Sequence, residues 1–523
     1  MSGWQTVVSM VLAATIVALP AVAHASSGDH APASVPSVRR WQAGIGSFQW
    51  RSTSRIVLAP TSVTALRATA ELMAEDLRLT VGRAPAIVTG ATRKGDVFLG
   101  LTLAESQLGR EGYRMTIGGI LAIRGQSDAG VFYGTRTLLQ YLKQGSTIPA
   151  GSVTDWPDYP VRGLMVDVGR KYFSIPWLEN EIRDLAYQKM NTLHLHLSDN
   201  LGFRIESRSH PELNRNTTPI YTTAQIRRLV GFATRYHVDI IPELDFPAHA
   251  DAVLAAHPEL RLADIEGKNL PDKIDLSLPA TYTLIGDLLQ EYLPLFPGPY
   301  WHVGADEFLH PGEFARYPQM EAYAKAHWGE KATGIDTYLN YVNWVDRIVR
   351  AHGKTLRAWG DPDEYVPYTG GAVGLNRDII LELWNDDSDP AAVIKQGHTV
   401  LNATYQPLYF NVGDGAHHRA REIYERWAPN QGFTVAHQYA VAPRDPHLQG
   451  AKFHIWADRP NAETEAEVAR DIWDPLRALA QSSWSGTRPY SDYAEFVAVG
   501  ERLGHAPGWT TVPIPRREAD ATR

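Results

Sequence analysis

The chain contains no cysteine among its 523 residues, which excludes disulfides, thiolate metal sites and cysteine nucleophiles. Positive charge is also scarce. Against 58 acidic residues stand 50 Lys and Arg, a formal net charge of -8, and no basic block interrupts the chain. That balance argues against nucleic acid or an anionic membrane as the main partner and suits an uncharged or polar ligand. Low-complexity segments and long charge runs are missing, so a disordered chain is excluded. Beyond the N-terminal segment, no stretch approaches the ~20 uninterrupted apolar residues of a membrane-spanning helix. Stability must come from the core.

Aromatic residues are abundant, with 15 Trp and 23 Tyr. Their faces can stack on sugar rings or simply fill an aromatic core, and composition leaves both readings open. At the N-terminus, MSGWQTVVSMVLAATIVALPAVAHASSG has an apolar run from Val7 to Ala23 followed by Ala23-His24-Ala25. Small residues at that spacing suit signal cleavage, so residues 1–25 are expected to be a secretory signal and the body to be secreted. The leading segment lacks Lys and Arg, which leaves an uncleaved membrane anchor as the alternative.

The remainder exceeds one ordinary domain of ~100–200 residues. From residue 37 to 150, short strands such as DVFLGL and GILAIRG mix with helices over Thr61–Val81 and Ala129–Leu142, a small α+β unit. GSVTDWPDYP, Gly151 to Pro160, is rich in Gly, Pro and Asp and reads as the boundary. A different rhythm fills 160–495: RGLMVDVGR, TLHLHLSD, DIIPELDF, YWHVGADE, TLRAWGD, DIILELWN, the split TVLNATYQPLYFN and GAKFHIWAD alternate with helical stretches. Those helices are expected at Trp177–Met190, Thr223–Tyr236, Ala280–Tyr292, Asp336–His352 and Ala462–Ala480. Eight alternating strand and helix units imply a closed (β/α)8 TIM barrel whose interior favours branched aliphatics. A C-terminal helix and tail over 496–523 complete the expected α/β architecture.

Almost every strand-like run ends in functional side chains: Asp167 and Arg170, Asp199, Glu243 and Asp245, Asp306 and Glu307, Trp359 and Asp361, Trp384 and Asp386, Tyr409 and Asn411, Trp456 and Asp458. One Asp after a strand is an ordinary helix cap. Gathered from many strands, such residues meet at the C-terminal face of a barrel, where active sites sit. Glycoside hydrolysis uses two carboxyl groups in different roles. Because neighbouring strand residues point to opposite faces, Asp306 and Glu307 can share a pocket only if the strand ends and the chain turns at Gly304. One acid would then stay ionised while apolar surroundings keep the other protonated.

His302-Val303-Gly304-Ala305-Asp306-Glu307 resembles the H-x-G-G-D-E motif of glycoside hydrolase family 20, with Ala305 in place of the second Gly. RGLMVDVGRKYF, LHLHLSDNLGFRIES and PELDFPAHA are similar to the family's first three barrel strands; EGYRMTIGG and AGVFYGTRTLLQYL are similar to its preceding α+β domain. The resemblance implies a retaining exo-β-N-acetylhexosaminidase in which the substrate's own 2-acetamido group is the nucleophile. It implies that Asp306 orients the acetamide and that Glu307 protonates the leaving oxygen. By the same carry-over, Tyr409 hydrogen-bonds the acetamide, Arg170 holds ring hydroxyls, and Trp359, Trp384 and Trp456 wall the sugar. Asp199 and His249 would pair beneath the acid, or form a buried structural pair. Asn411 and Asp458 stand where many members have Asp and Glu, and face the sugar's outer hydroxyls. The Trp-x-Asp form is similar to the lacto-N-biosidase branch, so release of the disaccharide lacto-N-biose is the alternative activity.

The expected partner is an oligosaccharide or glycoconjugate, with no nucleic acid and no membrane contact beyond an uncleaved signal. No cofactor is expected. His194-Leu195-His196 would supply two same-side metal ligands, but no convincing third and fourth ligands accompany them, so no metal is expected. A carbohydrate-binding protein that has lost catalysis is the reading from another functional class, and the intact acid pair counts against it.

Overall fold

Eight parallel strands close into a barrel: Val161–Asp167, Thr192–His196, Asp239–Phe246, Tyr300–Gly304, Thr355–Trp359, Ile380–Leu383, Thr399–Asn402 and Leu448–Trp456. Each pairs with its neighbours, and the eighth pairs with both the seventh and the first. This computed structural model describes residues 30–102, 107–361, 372–385, 389–413, 419–433 and 439–511. The signal stretch 1–25 and Asp386 lie outside them. Among the described residues no helix is long and apolar enough to cross a membrane.

The split seventh run is two strands in one slot. Thr399–Asn402 pairs with the lower half of the eighth strand, from Leu448 to Ala451, and Tyr409–Asn411 pairs with its upper half, from His454 to Trp456. The residues between them loop out, leaving Tyr405 at the mouth with 40% of its surface exposed.

Before the barrel, seven strands form a mixed sheet in the order Arg40–Gln49, Thr147–Asp155, Tyr113–Ile117, Leu121–Gly125, Val97–Leu101, Arg55–Leu58 and Ala86–Thr89. The strand Thr147–Asp155 runs through the first half of the stretch read as a linker. Helices Val63–Val81 and Asp128–Lys143 pack on this sheet, the first through Leu66, Met73 and Leu77, the second at Gly134, where a Cβ would meet Ile123 and Tyr113. The second reaches the barrel's first helix, Ile175–Tyr187, where Gln140 Nε2 donates to the Tyr187 carbonyl at 2.9 Å.

The expected helix over Ala462–Ala480 is two helices, Glu465–Asp471 and Trp473–Trp484. Pro475 explains the break, because its ring lacks an N–H and would clash with the carbonyl four residues back, at Asp471. The last helix begins at Tyr493 rather than 496, with the Asp492 side chain accepting from Glu495 N at 2.8 Å.

The barrel interior departs from the aliphatic filling expected. His194, His196, Glu243, His302, Arg357, Glu382, Lys452 and His454 are all buried there. Glu382 accepts from Arg357 Nε at 2.6 Å and pairs with Lys452, whose Nζ is 2.7 Å from His194 Nδ1. Burial, aided by Arg357, pushes Lys452 down to about 8. Burial and the Lys452 charge push His194 down to about 3, so it is neutral. A small apolar cluster, Val161, Met165, Trp359, Leu401 and Ala403, lies apart from the main core and supports Trp384 and Trp456.

Candidate active site

The fourth strand stops at Gly304, and the backbone then turns sharply. Gly304, Ala305 and Glu307 have φ of 75°, 70° and 48°, all left-handed. At this backbone position 304 must be glycine, because a Cβ there would stand 1.7 Å from Asp245 Oδ1. Ala305 takes the same hand with a side chain, held by its N–H on the Phe246 carbonyl at 3.1 Å and by the Tyr338 hydroxyl on its own carbonyl. Asp361 Oδ1 accepts from Glu307 N at 2.8 Å, while its Oδ2 accepts from Trp384 Nε1 at 2.7 Å. The turn aims both acids at one cavity, as the sequence required.

That cavity measures about 180 Å³ and is lined by Arg170, Asp199, His249, Asp306, Glu307, Trp359, Trp384, Tyr409, Asn411, Trp456 and Asp458. Each residue given a role by the family resemblance lines it, whereas the strand-end acids Asp167, Glu243 and Asp361 do not. Asp245 and Tyr405 also line it. Asp245 was visible as a strand-end acid without a role, and Tyr405 lies in the outward loop between the two half-strands, a position no periodicity marks.

His249 Nε2 lies 3.1 Å from Glu307 Oε2 and 3.5 Å from Asp306 Oδ2. Burial opposes charge on this imidazole, but Asp306 and then Glu307 outweigh it and hold the pKa well above the ordinary value. Asp306 is buried too, yet the His249 charge keeps its carboxyl below its ordinary value. Its Oδ1 is buried with no hydrogen-bond partner among the described residues. Asp245 behaves oppositely: burial and the nearby Asp306 charge raise it well above the carboxylate range. Glu307 is not enclosed by apolar groups as expected, since 55% of its side chain is exposed.

Asp199 shows no hydrogen bond to His249. It accepts instead from Arg170 NH2 at 2.9 Å and His196 Nε2 at 2.8 Å. Arg170 also donates to Asp167 at 2.9 Å, while Asp458, 56% exposed, is 3.7 Å away. Burial counts against the Arg170 charge, but Asp167 and Asp199 raise its pKa further. The His196 side chain carries the second sequence surprise: its other nitrogen is 2.5 Å from Glu243, which also meets His194 and His302 at 3.1 Å. The His-x-His pair is thus part of a hydrogen-bonded core network.

Aromatic side chains wall the space. Trp359 and Trp456 have centroids 5.7 Å apart, as do Tyr409 and Trp456. Burial and then Asp306 raise the Tyr409 phenol well above its ordinary value, so it remains a donor. A second cleft of about 450 Å³ meets the first at Glu307 and Trp384, and is lined by Leu270, Lys273, Phe308, His310 and Tyr317. Leu270 and Lys273 come from the hairpin Arg261–Ala263 with Asn269–Ile274.

A TIM barrel with paired acids and tryptophan walls at the C-terminal mouth of its strands defines the class of the glycoside hydrolases. Within that class the chain belongs to glycosyl hydrolase family 20: the model of the family's catalytic domain matches residues 159–487, and that of its domain 2 matches 31–156. It is 32% identical over 501 residues to a lacto-N-biosidase of Bifidobacterium bifidum, covering 94% of this chain but 42% of that protein. It is 31% identical over 393 residues to β-hexosaminidase subunit A1 of Dictyostelium discoideum, covering 72% of this chain and 69% of that one. The chain therefore spans under half of the first relative. A β-N-acetylhexosaminidase structure from Streptomyces coelicolor shares the fold, with a TM-score of 0.71, 23% identity, and coverage of 91% of this chain and 95% of that one.

Proposed function

We propose that the protein is a retaining exo-glycosidase that removes terminal β-linked N-acetylhexosamine by substrate-assisted catalysis. The observation that carries this reading is the pairing of a buried, ionised Asp306, with an unpartnered Oδ1, and a half-exposed Glu307 on one histidine. Asp306 Oδ1 accepts the acetamide N–H, which turns the acetamide oxygen toward the anomeric carbon. That oxygen bonds to the carbon as the glycosidic C–O bond breaks, and Glu307 gives its proton to the departing oxygen. Glu307 then takes a proton from water, whose oxygen attacks the anomeric carbon and releases the acetamide. The leaving group occupies the cleft beyond Glu307.

Nucleophile and electrostatic partner in this scheme differ from the usual two-carboxylate arrangement, which is why an acid pair on adjacent residues suffices. The deciding experiment compares aryl N-acetylglucosaminide, aryl N-acetylgalactosaminide and aryl lacto-N-bioside on wild type and Glu307→Gln. General-acid loss is expected to cost about 10²–10⁴-fold, most with the poorer leaving groups. No turnover of any substrate by the wild type sinks the proposal and favours a non-catalytic glycan binder.

A second reading, release of lacto-N-biose, is favoured by the far end of the pocket. Asp458 is more than half exposed and only loosely paired with Arg170, leaving the sugar's outer edge open to solvent. The lacto-N-biosidase relative points the same way. A higher kcat/KM for the lacto-N-bioside than for either monosaccharide would select it. We also propose export, on the strength of the N-terminal apolar run; accumulation of the full chain in the cytoplasm would reject it.

A further inference from the structure

The tetrapeptide His-Pro-Glu-Leu occurs at 210–213 and again at 257–260. Both copies fold alike. Each histidine leads into a 3-10 turn, Pro211–Asn214 or Pro258–Leu260, with φ/ψ of -133°/67° at His210 and -126°/62° at His257. The turns lie in the loops after the second and third barrel strands and bring the two rings to a centroid distance of 6.0 Å. Glu212 Oε1 sits between them, 3.1 Å from His210 Nδ1 and 3.0 Å from His257 Nε2. Each ring's other nitrogen faces a further carboxylate: His210 Nε2 is 3.2 Å from Asp287 Oδ2, and His257 Nδ1 is 3.2 Å from Glu259 Oε1.

Proton counting makes this cluster unusual. Four nitrogen–carboxylate contacts require four N–H groups, and two neutral imidazoles supply two. Among the described residues none of the three carboxylates pairs with Lys or Arg. The cluster therefore calls for two added positive charges, as two protons or as one divalent cation.

We propose that His210, His257 and Glu212 bind one divalent transition-metal ion, for which Zn²⁺ is the probe. Their donor atoms all lie within 4.8 Å of one another. Tetrahedral zinc, with bonds of about 2.0–2.1 Å, needs donors about 3.4 Å apart, which small side-chain rotations provide. Asp287 and Glu259 then hold the outer ring N–H groups, the carboxylate–histidine support that metal sites use to fix tautomer and ring orientation. Imidazole donors favour zinc and its transition-metal neighbours over calcium or magnesium. Side-chain exposures of 17%, 25% and 19% for His210, Glu212 and His257 leave an entry path and a position for water. The sequence expectation of no metal weighed only His194 and His196; this pair, 47 positions apart in chain, became visible through the fold. Because the second turn runs directly into Arg261, the metal would clamp the base of the hairpin that carries Leu270 and Lys273.

The test is zinc titration by calorimetry, with metal analysis after gel filtration, on the full chain at about pH 8 and about pH 6. Wild type is expected to retain one equivalent at the higher pH, to bind at least tenfold more weakly at the lower pH as protons compete, and to melt higher with zinc. The His210→Gln/His257→Gln double variant, and Glu212→Gln separately, should lose at least tenfold in affinity while keeping the activity and melting temperature of the metal-free wild type. No retained zinc in the wild type overturns the proposal. So does equal binding by the double variant, which would place the ion on the intact His249, Asp306 and Glu307 cluster.

Discussion

Trp359 and Glu243 are joined inside the barrel: the indole Nε1 donates to Glu243 Oε1 at 2.8 Å. The same carboxylate holds His196, which in turn holds Asp199, so one buried group fixes an aromatic and an acidic wall of the cavity. Burial opposes its charge, but His196, His302 and His194 keep Glu243 ionised well below the carboxylate range. Glu243→Gln removes one of the two carboxylates that hold the His196 cation and leaves Asp199 as the other. Breaking a buried pair from one side costs about 3–5 kcal/mol, measurable by urea unfolding, and activity should fall with it. Wild-type stability in the variant would show that the network carries no charge.

Adjacent substitutions at the turn should have opposite signs. Gly304→Ala forces a Cβ into Asp245 and a left-handed backbone onto alanine, costing about 2–4 kcal/mol and most of the activity. Ala305→Gly relieves φ of 70° and should leave stability unchanged or raise it by up to about 1 kcal/mol. Denaturant melts of the two variants check both signs.

The pKa of His249 is raised above its ordinary 6.5, so the folded state binds this proton more tightly than the unfolded chain does. Its contribution is complete below about pH 6.5 and is lost as pH climbs through the raised value. Asp306 is shifted down, so its contribution is lost only as pH falls through its lowered value. The stability gap between wild type and His249→Gln should therefore be widest between about pH 4 and pH 6.5 and close toward alkaline pH. Unfolding curves at several pH values measure it, and a gap that widened with alkalinity would contradict the ion pair.

Lys273 lines the second cleft, which meets the first at Glu307 and which the proposed mechanism assigns to the leaving group. Lys273→Ala should lower kcat/KM for an N-acetylglucosaminyl oligosaccharide by about 3–10-fold, the worth of one partly screened charge-assisted hydrogen bond. Hydrolysis of a small aryl glycoside should hardly change. Equal losses on both substrates would show that the hairpin supports the acid pair instead.

Strand ends carried most of what the sequence could tell. Asp306, Glu307, Tyr409, Trp384 and Trp456 were findable because each closes an apolar run, and a parallel barrel sends all such ends to one rim. The interior was not findable in the same way. Lys452 and His454 alternate with apolar residues, as do His194 and His196, so the strands read simply as strands. Which partner meets which depends on strands distant in the chain, such as those of Lys452 and His194, 258 positions apart. Asp199 meets Arg170 for a related reason: parallel pairing sets the end of the first strand, at Asp167, beside His196 of the second.

The ionic filling of the barrel gives the pocket floor an unusual response to heat. Hydration of charged groups becomes less favourable on warming, so the penalty for burying Glu382, Lys452 and Arg357 shrinks as temperature rises. The cost of keeping charge beneath Trp359 is therefore lower in the warm protein than in the cold one.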